Sequence, residues 1–463
     1  MGTPVRMCVL PDWGRFFSWS RQGSGAVAPG PAAPCPAHRS EEARGLQRLI
    51  EGVMALVNGR FVPSDIRVEC GRIVSVEPAA KPVSEENTLY AMPGFTDVHV
   101  HLREPGFSYK ETLKSGTRAA ARGGYIRVCA MPNLNPVPDS LEHLLPQLEK
   151  IGRDAVIDVR PYGAITRGEA GAELSDMEAL APRVAAFSDD GRGVQSDDMM
   201  RAAMRKAKVL GRLIAAHCED NRLLHGGVIH DGRYAREHGI PGICSESEWG
   251  QIARDLKLVR ETGCGYHVCH ISTKESVELI RQAKRDGLDV SCETAPHYLL
   301  LTEDDLQDEG RFKMNPPVRS AADREALLEG LADGTIDMIA TDHAPHSAVE
   351  KAKGLRGSAM GIVGLETAFP LLYTHLVEKQ KLLTLEQLVR LMSDAPARRF
   401  GLPVEAVRPG SDASFALWDL NAEYSIDPDS FLSMGKATPF AGWHVNGKCV
   451  ETMYKGETVW QMA

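Results

Sequence analysis

The ten cysteines contain no Cys-x-x-Cys pair, which argues against a zinc–thiolate site. No run of about eighteen apolar residues occurs, so a membrane-spanning helix is not expected. Positive charge is in deficit as well. Lys and Arg number 53 against 62 Asp and Glu, a net charge of −9 at pH 7. Such a chain carries no electrostatic footprint for nucleic acid or an anionic membrane. An anionic substrate would have to find its positive charge inside a pocket. Lysine is absent from residues 1–53, which hold six Arg and few acids. Arginine there raises the question of a transit peptide, but the Gly and Pro of "GSGAVAPGPAAPCPAHRS" interrupt the amphipathic helix one would need. A mis-called start or a loose extension is the plainer reading, with Met54 opening the folded chain.

What is present fits a globular protein of one large domain or a barrel with an accessory domain: 463 residues, 43% hydrophobic. Cys129, Cys218, Cys269 and Cys292 sit in or beside apolar, strand-like runs. They read as buried free thiols, suited to a reducing, cytoplasmic setting.

Residues 54–94 suggest short strands joined by turns at Asn58–Gly59 and Gly71. Residues 401–463 repeat that style, with turns expected at Asn446–Gly447 and Lys455–Gly456. The two ends are expected to form one small flanking β domain, a β-sandwich. Between them, over 95–400, eight apolar runs alternate with helical patterns: "GFTDVHVHL", "YIRVCAMPN", "DVRPYGAIT", "AAFSDD", "RLIAAHCE", "GYHVCHIS", "VSCETAPHYLL" and "MIATDHAP". Ser320 is placed to N-cap one of the helices. Repeated strand–helix units predict a parallel sheet covered on both faces. Eight of them favour an α/β fold of the (β/α)8 barrel type.

Polar residues gather at the ends of these strands. His99 and His101, two apart, share a face and can share a metal ion. Later strands end in Asp189–Asp190, His217, His267 and His270, and Asp342–His343. Each piece alone has an ordinary structural explanation, such as a turn or a packed imidazole. Their recurrence in barrel order, at the rim where barrel enzymes do chemistry, points to a metal site.

"PGFTDVHVHLREPG", "AMPNLNPVPD", "FSDDGRGVQ", "AHCEDN", "HVCHISTKESV", "MIATDHAPH" and "GIVGLETAFPLLYT" resemble the type I dihydroorotases of the amidohydrolase superfamily. The resemblance runs from about Met54 to the C-terminus. It implies two zinc ions, one on His99, His101 and Asp342, the other on His217 and His270, with Asp190 bridging. Strand four offers no lysine for the carboxylated bridge of many relatives. His267, three residues from His270, is out of phase and reads as structural. The implied reaction is the reversible cyclisation of N-carbamoyl-L-aspartate to (S)-dihydroorotate and water, in pyrimidine biosynthesis. A zinc-bridging hydroxide would be the nucleophile and Asp342 the general acid and base.

Arg103, two residues past His101, offers a planar fork for the substrate carboxylate. The resemblance adds Asn133 and His346 as its partners. Asn315 and the backbone at Met360–Gly361 would lie against the pyrimidine ring, and His101 would also contact substrate. Met360 stands where an aromatic residue is common in the family. Residues 347–359 are suited to a mobile loop over the site. The partner implied is a small molecule; a homodimer and association with aspartate carbamoyltransferase stay open. Hydantoinases, dihydropyrimidinases and allantoinases share the metal chemistry, but Arg103 and the missing strand-four lysine count against them. A barrel without metals serving another subunit is opposed by the presence of every expected ligand.

Overall fold

The computed structural model describes residues 47–84 and 88–462. Strands β1 (Gln47–Val57), β2 (Arg60–Glu69) and β3 (Arg72–Pro78) form an antiparallel meander. Its two connections, Asn58–Gly59 and Cys70–Gly71, have positive φ at both residues. That turn geometry matches the twist of paired strands. β4 (Leu89–Pro93) then adds in parallel to β1.

β1 begins at Gln47, ahead of the Met54 at which the sequence reading opens the folded chain. Residues 47–53 join the strand because Ile50 and Val53 are buried in the core of this sheet, and Arg48 pairs with Glu451. A bulge between Ile50 and Val53 keeps both side chains inward. Residues 1–46 lie outside the described residues.

The middle of the chain supplies β5 (Phe95–Val100), β6 (Tyr125–Ala130), β7 (Asp158–Pro161), β8 (Gly163–Ala164), β9 (Phe187–Ser188) and β10 (Ile214–Ala216). A small parallel pair, β11 (Ile229–His230) and β12 (Gly242–Ile243), interrupts the series. β13 (Tyr266–Val268), β14 (Val290–Thr294) and β15 (Met338–Ile339) complete it. All barrel neighbours run parallel. β7 and β8 are one strand broken at Tyr162. Tyr162 donates back to Ala130, while Gly163 donates onward to Ala186, handing the pairing from one side to the other. The ring closes where Val100 bridges His343 and His101 donates to His343 at 2.8 Å. The eight expected strands therefore make a closed (β/α)8 barrel. β5 and β6 are buried at every residue, as strands covered on both faces must be.

Helix capping follows residue type, at Ser320 as the sequence predicts. Ser320 caps Ala321–Ala332 in a reciprocal box with Asp323, and Thr112 caps Leu113–Arg122 with Ser115. Cys129, Cys218, Cys269 and Cys292 are buried free thiols.

The C-terminal strands β16 (Phe415–Ser425), β17 (His444–Tyr454) and β18 (Glu457–Gln461) return to the first sheet. The order is β18-β17-β16-β4-β1-β2-β3, so both ends of the described chain build one flanking β unit. Lys455–Gly456 is a turn with positive φ at both residues, as expected. Asn446–Gly447 is not. It lies inside β17, at a register break opposite Asp419–Glu423. The glycine fits there because a Cβ would press on Tyr373 at 3.2 Å, so the bulge, not a hairpin, uses its freedom.

Candidate active site

Six strand-end side chains converge at the barrel mouth. His99 and His101 leave the end of β5 on one face. Asp190 follows β9, His217 follows β10, His270 follows β13 and Asp342 follows β15. His270 and Asp342 have φ of 34° and 47°, and Arg103 has 61°. These left-handed conformations cost about 1–3 kcal/mol each in a non-glycine residue. They turn each side chain out of the strand direction and into the mouth.

Asp190 sits at the centre. Its Oδ1 lies 3.3 Å from His99 Nε2, 3.9 Å from His270 Nε2 and 4.0 Å from His217 Nδ1. Its Oδ2 lies 3.6 Å from His101 Nε2. Asp342 Oδ1 is 3.1 Å from His101 Nε2 and 3.5 Å from His99 Nε2. His217 Nδ1 and His270 Nε2 approach to 3.0 Å. Two of the three clusters with metal-ligand spacing among the described residues contain Asp190, His99–His101–Asp190 and Asp190–His217–His270; the third is His99–Cys269–Glu293, and all are fully buried. His99 Nε2 and Asp190 Oδ1 are buried without a hydrogen-bond partner among the described residues, as are His217 Nε2 and His270 Nδ1. Lone pairs on His99 Nε2 and Asp190 Oδ1, which face one another across the cluster, are what a cation would satisfy. Asp189 is excluded from the cluster because Ile165 N, Thr166 N and the Thr166 hydroxyl occupy its carboxylate.

Against the pull of burial, Asp190 raises His99 well above the ordinary imidazole value and Glu219 raises His217, so a bound cation would displace their protons. Burial alone would raise the Asp190 and Asp342 carboxyls, but the surrounding imidazoles hold both well below the usual carboxylate range. Burial and the neighbouring charges of His217 and His99 push His270 down to about 3, leaving it neutral and free to ligate.

Behind the ligands stands a layer whose two carboxylates, Glu293 and Glu219, the sequence reading missed. Glu293, on β14, receives His99 Nδ1 at 2.8 Å on one oxygen and His267 Nε2 at 3.0 Å on the other. His267, read as structural, therefore supports a carboxylate that orients His99. Asn133 bonds His101 Nδ1 through Oδ1 and Asp190 Oδ2 through Nδ2, so both ends of its amide are engaged with the cluster. Glu219 lies 3.5 Å from His217 Nε2 and accepts from Asn315 at 2.9 Å. Strand alternation was the available signal: Glu219 is two residues past His217, in phase with it.

A cavity of about 220 Å³ opens over the cluster. Arg103, Asn133, Asn315, His346, Met360 and Gly361 line it together with the candidate ligands other than His99, which lies deeper. Arg103 anchors its Nε on Pro345 O at 3.2 Å, and His346 Nε2 is 2.8 Å from Met360 O. Met360 thus takes part through its backbone, which tolerates the change from an aromatic residue. Gly361 has φ 133°, and a Cβ there would fall 2.6 Å from Ala344 O. Only glycine lets this backbone line the cavity. Residues 347–359 form two short helices, and the buried Lys351 ammonium donates to Lys313 O, Ala359 O and Gly361 O at 2.7–2.9 Å. The segment expected to be a mobile loop is thereby tied to the cavity wall.

A barrel whose strand ends gather four histidines and two aspartates around a small polar cavity has the architecture of an amidohydrolase. Residues 261–460 match the Amidohydrolase family, and residues 89–276 match the family described as Dihydro-orotase-like. The chain is 50% identical over 412 residues to a dihydroorotase of Bacillus cytotoxicus, covering 87% of this chain and 95% of that one. It is 51% identical over 412 residues to a dihydroorotase of Geobacillus thermodenitrificans, covering 87% and 96%. Among solved structures, the L-hydantoinase of Arthrobacter aurescens superposes with a TM-score of 0.77 at 28% identity, covering 89% of this chain and 96% of that one. The dihydropyrimidinase of Brevibacillus agri shares the fold with a TM-score of 0.77 at 21% identity, covering 90% and 95%. The chain belongs to the dihydroorotase family.

Proposed function

We propose that this protein catalyses the reversible cyclisation of N-carbamoyl-L-aspartate to (S)-dihydroorotate and water, in pyrimidine biosynthesis. The observation that carries the reading is the single cavity joining the Asp190-centred cluster to the Arg103 guanidinium. Chemistry at a ring amide and recognition of a carboxylate meet there. Hydantoins and dihydropyrimidines without a carboxylate would leave Arg103 without a counter-ion.

His99, His101 and Asp342 would hold one Zn2+, His217 and His270 a second, with Asp190 shared. When bound, two such cations acidify water and polarise a carbonyl oxygen. The chain's own groups do the rest. Asp342, ionised and beside His101, takes the proton from the attacking water in hydrolysis and delivers it to the departing ring nitrogen. In cyclisation the same carboxylate takes a proton from the carbamoyl nitrogen as that nitrogen attacks the side-chain carboxyl carbon, and returns it to the departing oxygen, which leaves as water. Arg103 holds the substrate carboxylate, Asn315 and the backbone at Met360–Gly361 hold the ring, and Asn133 keeps His101 oriented. His101 contributes to substrate contact at the cavity floor. The free thiols favour a reducing, cytoplasmic setting.

The test is dihydroorotate formation from carbamoyl aspartate with and without a chelator. Turnover should vanish with the metal and return with added zinc. Full activity in demonstrably metal-free protein would refute the proposal.

A further inference from the structure

Lys110, in the segment after β5, carries no role in the reading above. Its ammonium lies 3.2 Å from His346 Nδ1 and 2.9 Å from Glu350 Oε1. Glu350 in turn caps Ser347 through both backbone and hydroxyl, and accepts from Tyr109. His346 has a second neighbour at its other nitrogen: Nε2 is 2.8 Å from Met360 O and 3.3 Å from Arg103 Nη2.

These contacts decide which nitrogen of His346 carries the proton. An ammonium has only donors, so Nδ1 facing Lys110 must be the acceptor. A carbonyl has only lone pairs, so Nε2 facing Met360 must be the donor. Both conditions select the Nε2–H tautomer. Burial and the charges of Arg103 and Lys110 push His346 down to about 3, in keeping with a neutral ring. In that tautomer Nε2 cannot accept from Arg103, since both atoms are donors. The Nη2 hydrogens stay available to the cavity.

We infer that Lys110 is a specificity-determining positioning residue. By holding His346 as its Nε2–H tautomer, it keeps the Arg103 fork unspent for the substrate carboxylate. Without the ammonium, Nδ1 is left facing the Glu350 carboxylate at 3.7 Å, an acceptor that competes with the Met360 carbonyl and draws the ring proton to Nδ1. Nε2 then accepts from Arg103, and the site loses both a donor and a nearby positive charge. The inference rests on the proposed carboxylate-bearing substrate and adds to it a residue that touches neither ring nor reacting atoms.

The experiment pairs kinetics with a tautomer measurement. Lys110→Met should raise KM for dihydroorotate at least about tenfold, the scale of one charge-assisted hydrogen bond, while kcat stays within about threefold. Lys110→Arg should bring KM back to within about threefold of the unaltered protein. Glu350→Gln leaves the ammonium in place and should have the smaller effect. The nitrogen-15 shifts of the His346 ring in histidine-labelled protein should show an unprotonated Nδ1, and Lys110→Met should change that pattern. An unchanged KM in Lys110→Met, a loss confined to kcat, or an effect matched by Glu350→Gln overturns the inference. A protonated Nδ1 in the unaltered protein overturns it too, whatever the activity. Absence of any dihydroorotate turnover in the unaltered protein overturns the proposed function and this inference together.

Discussion

Replacing Glu293 by Gln exchanges one oxygen for an amide nitrogen in the middle of the barrel and removes a buried charge. The carboxylate accepts from His99 at 2.8 Å and from His267 at 3.0 Å. Burial would raise its pKa, yet the two imidazoles hold it down to about 2, so it is ionised in the folded protein at neutral pH. Accepting from His99 Nδ1 keeps a proton on that nitrogen, so it is Nε2, facing Asp190 and Asp342, that would give its lone pair to a cation. An amide has one acceptor and one donor, so only one imidazole can keep its present role. Should His99 yield, its proton moves to Nε2 and the ligand is lost. His267 yields more cheaply, because its Nδ1 can donate to Ser291 Oγ at 2.8 Å. His99 then keeps its tautomer but loses a charged partner. Outer carboxylates of this kind typically contribute about 10–100-fold to metal affinity, which corresponds to about 1.4–2.8 kcal/mol. The assay is zinc affinity by competition with a chromophoric chelator, run on the variant and the unaltered protein. The expected result is a loss within that range with the fold retained. A variant that binds zinc within threefold of the unaltered protein would show that Glu293 does not set the state of His99.

Asp342→Asn should cut turnover by about two to four decades, the usual scale for losing a general acid–base group; steady-state kinetics within threefold of the unaltered protein would place the base elsewhere. Arg103→Met keeps the side-chain length but not the fork, and should lower kcat/KM for dihydroorotate at least about tenfold. A neutral ring lacking the carboxylate should suffer much less, and equal losses on both would show that Arg103 supports the site without reading the substrate. A chain starting at Met54 loses most of the 11-residue β1, the Arg48–Glu451 pair and the buried Ile50 and Val53. Two such aliphatic side chains are worth about 1.5–3 kcal/mol each, so its melting temperature should fall by several degrees; an unchanged melting curve would mean that residues 47–53 add nothing to the sheet.

Much of this was legible along the chain. Strand runs at helix-spaced intervals specify a covered parallel sheet, because backbone pairing and burial on both faces demand them. His99 and His101 fall on one face by the period of two alone. The mirror-image turns at Asn58–Gly59 and Lys455–Gly456 follow from the residues that tolerate positive φ. Other features had no local signal. Asn446–Gly447 looks like a turn in isolation, but its partners in β16 and the ring of Tyr373 make it a bulge. Nothing in residues 47–53 shows that a partner for Arg48 waits some four hundred residues later, and only the sheet order brings it there. Alternation phased His267 away from His270, yet closing the barrel sets Glu293 between His267 and His99, so a residue with no ligand role still orients a ligand. The proton on His346 belongs to this class as well. It depends on an ammonium on one side and a carbonyl on the other, from segments far apart in the chain. Residue type and period decide which side chains can do the chemistry, since they are local properties of the backbone. Which nitrogen carries a proton, and which carboxylate is left free, depends on distances that only the closed fold sets.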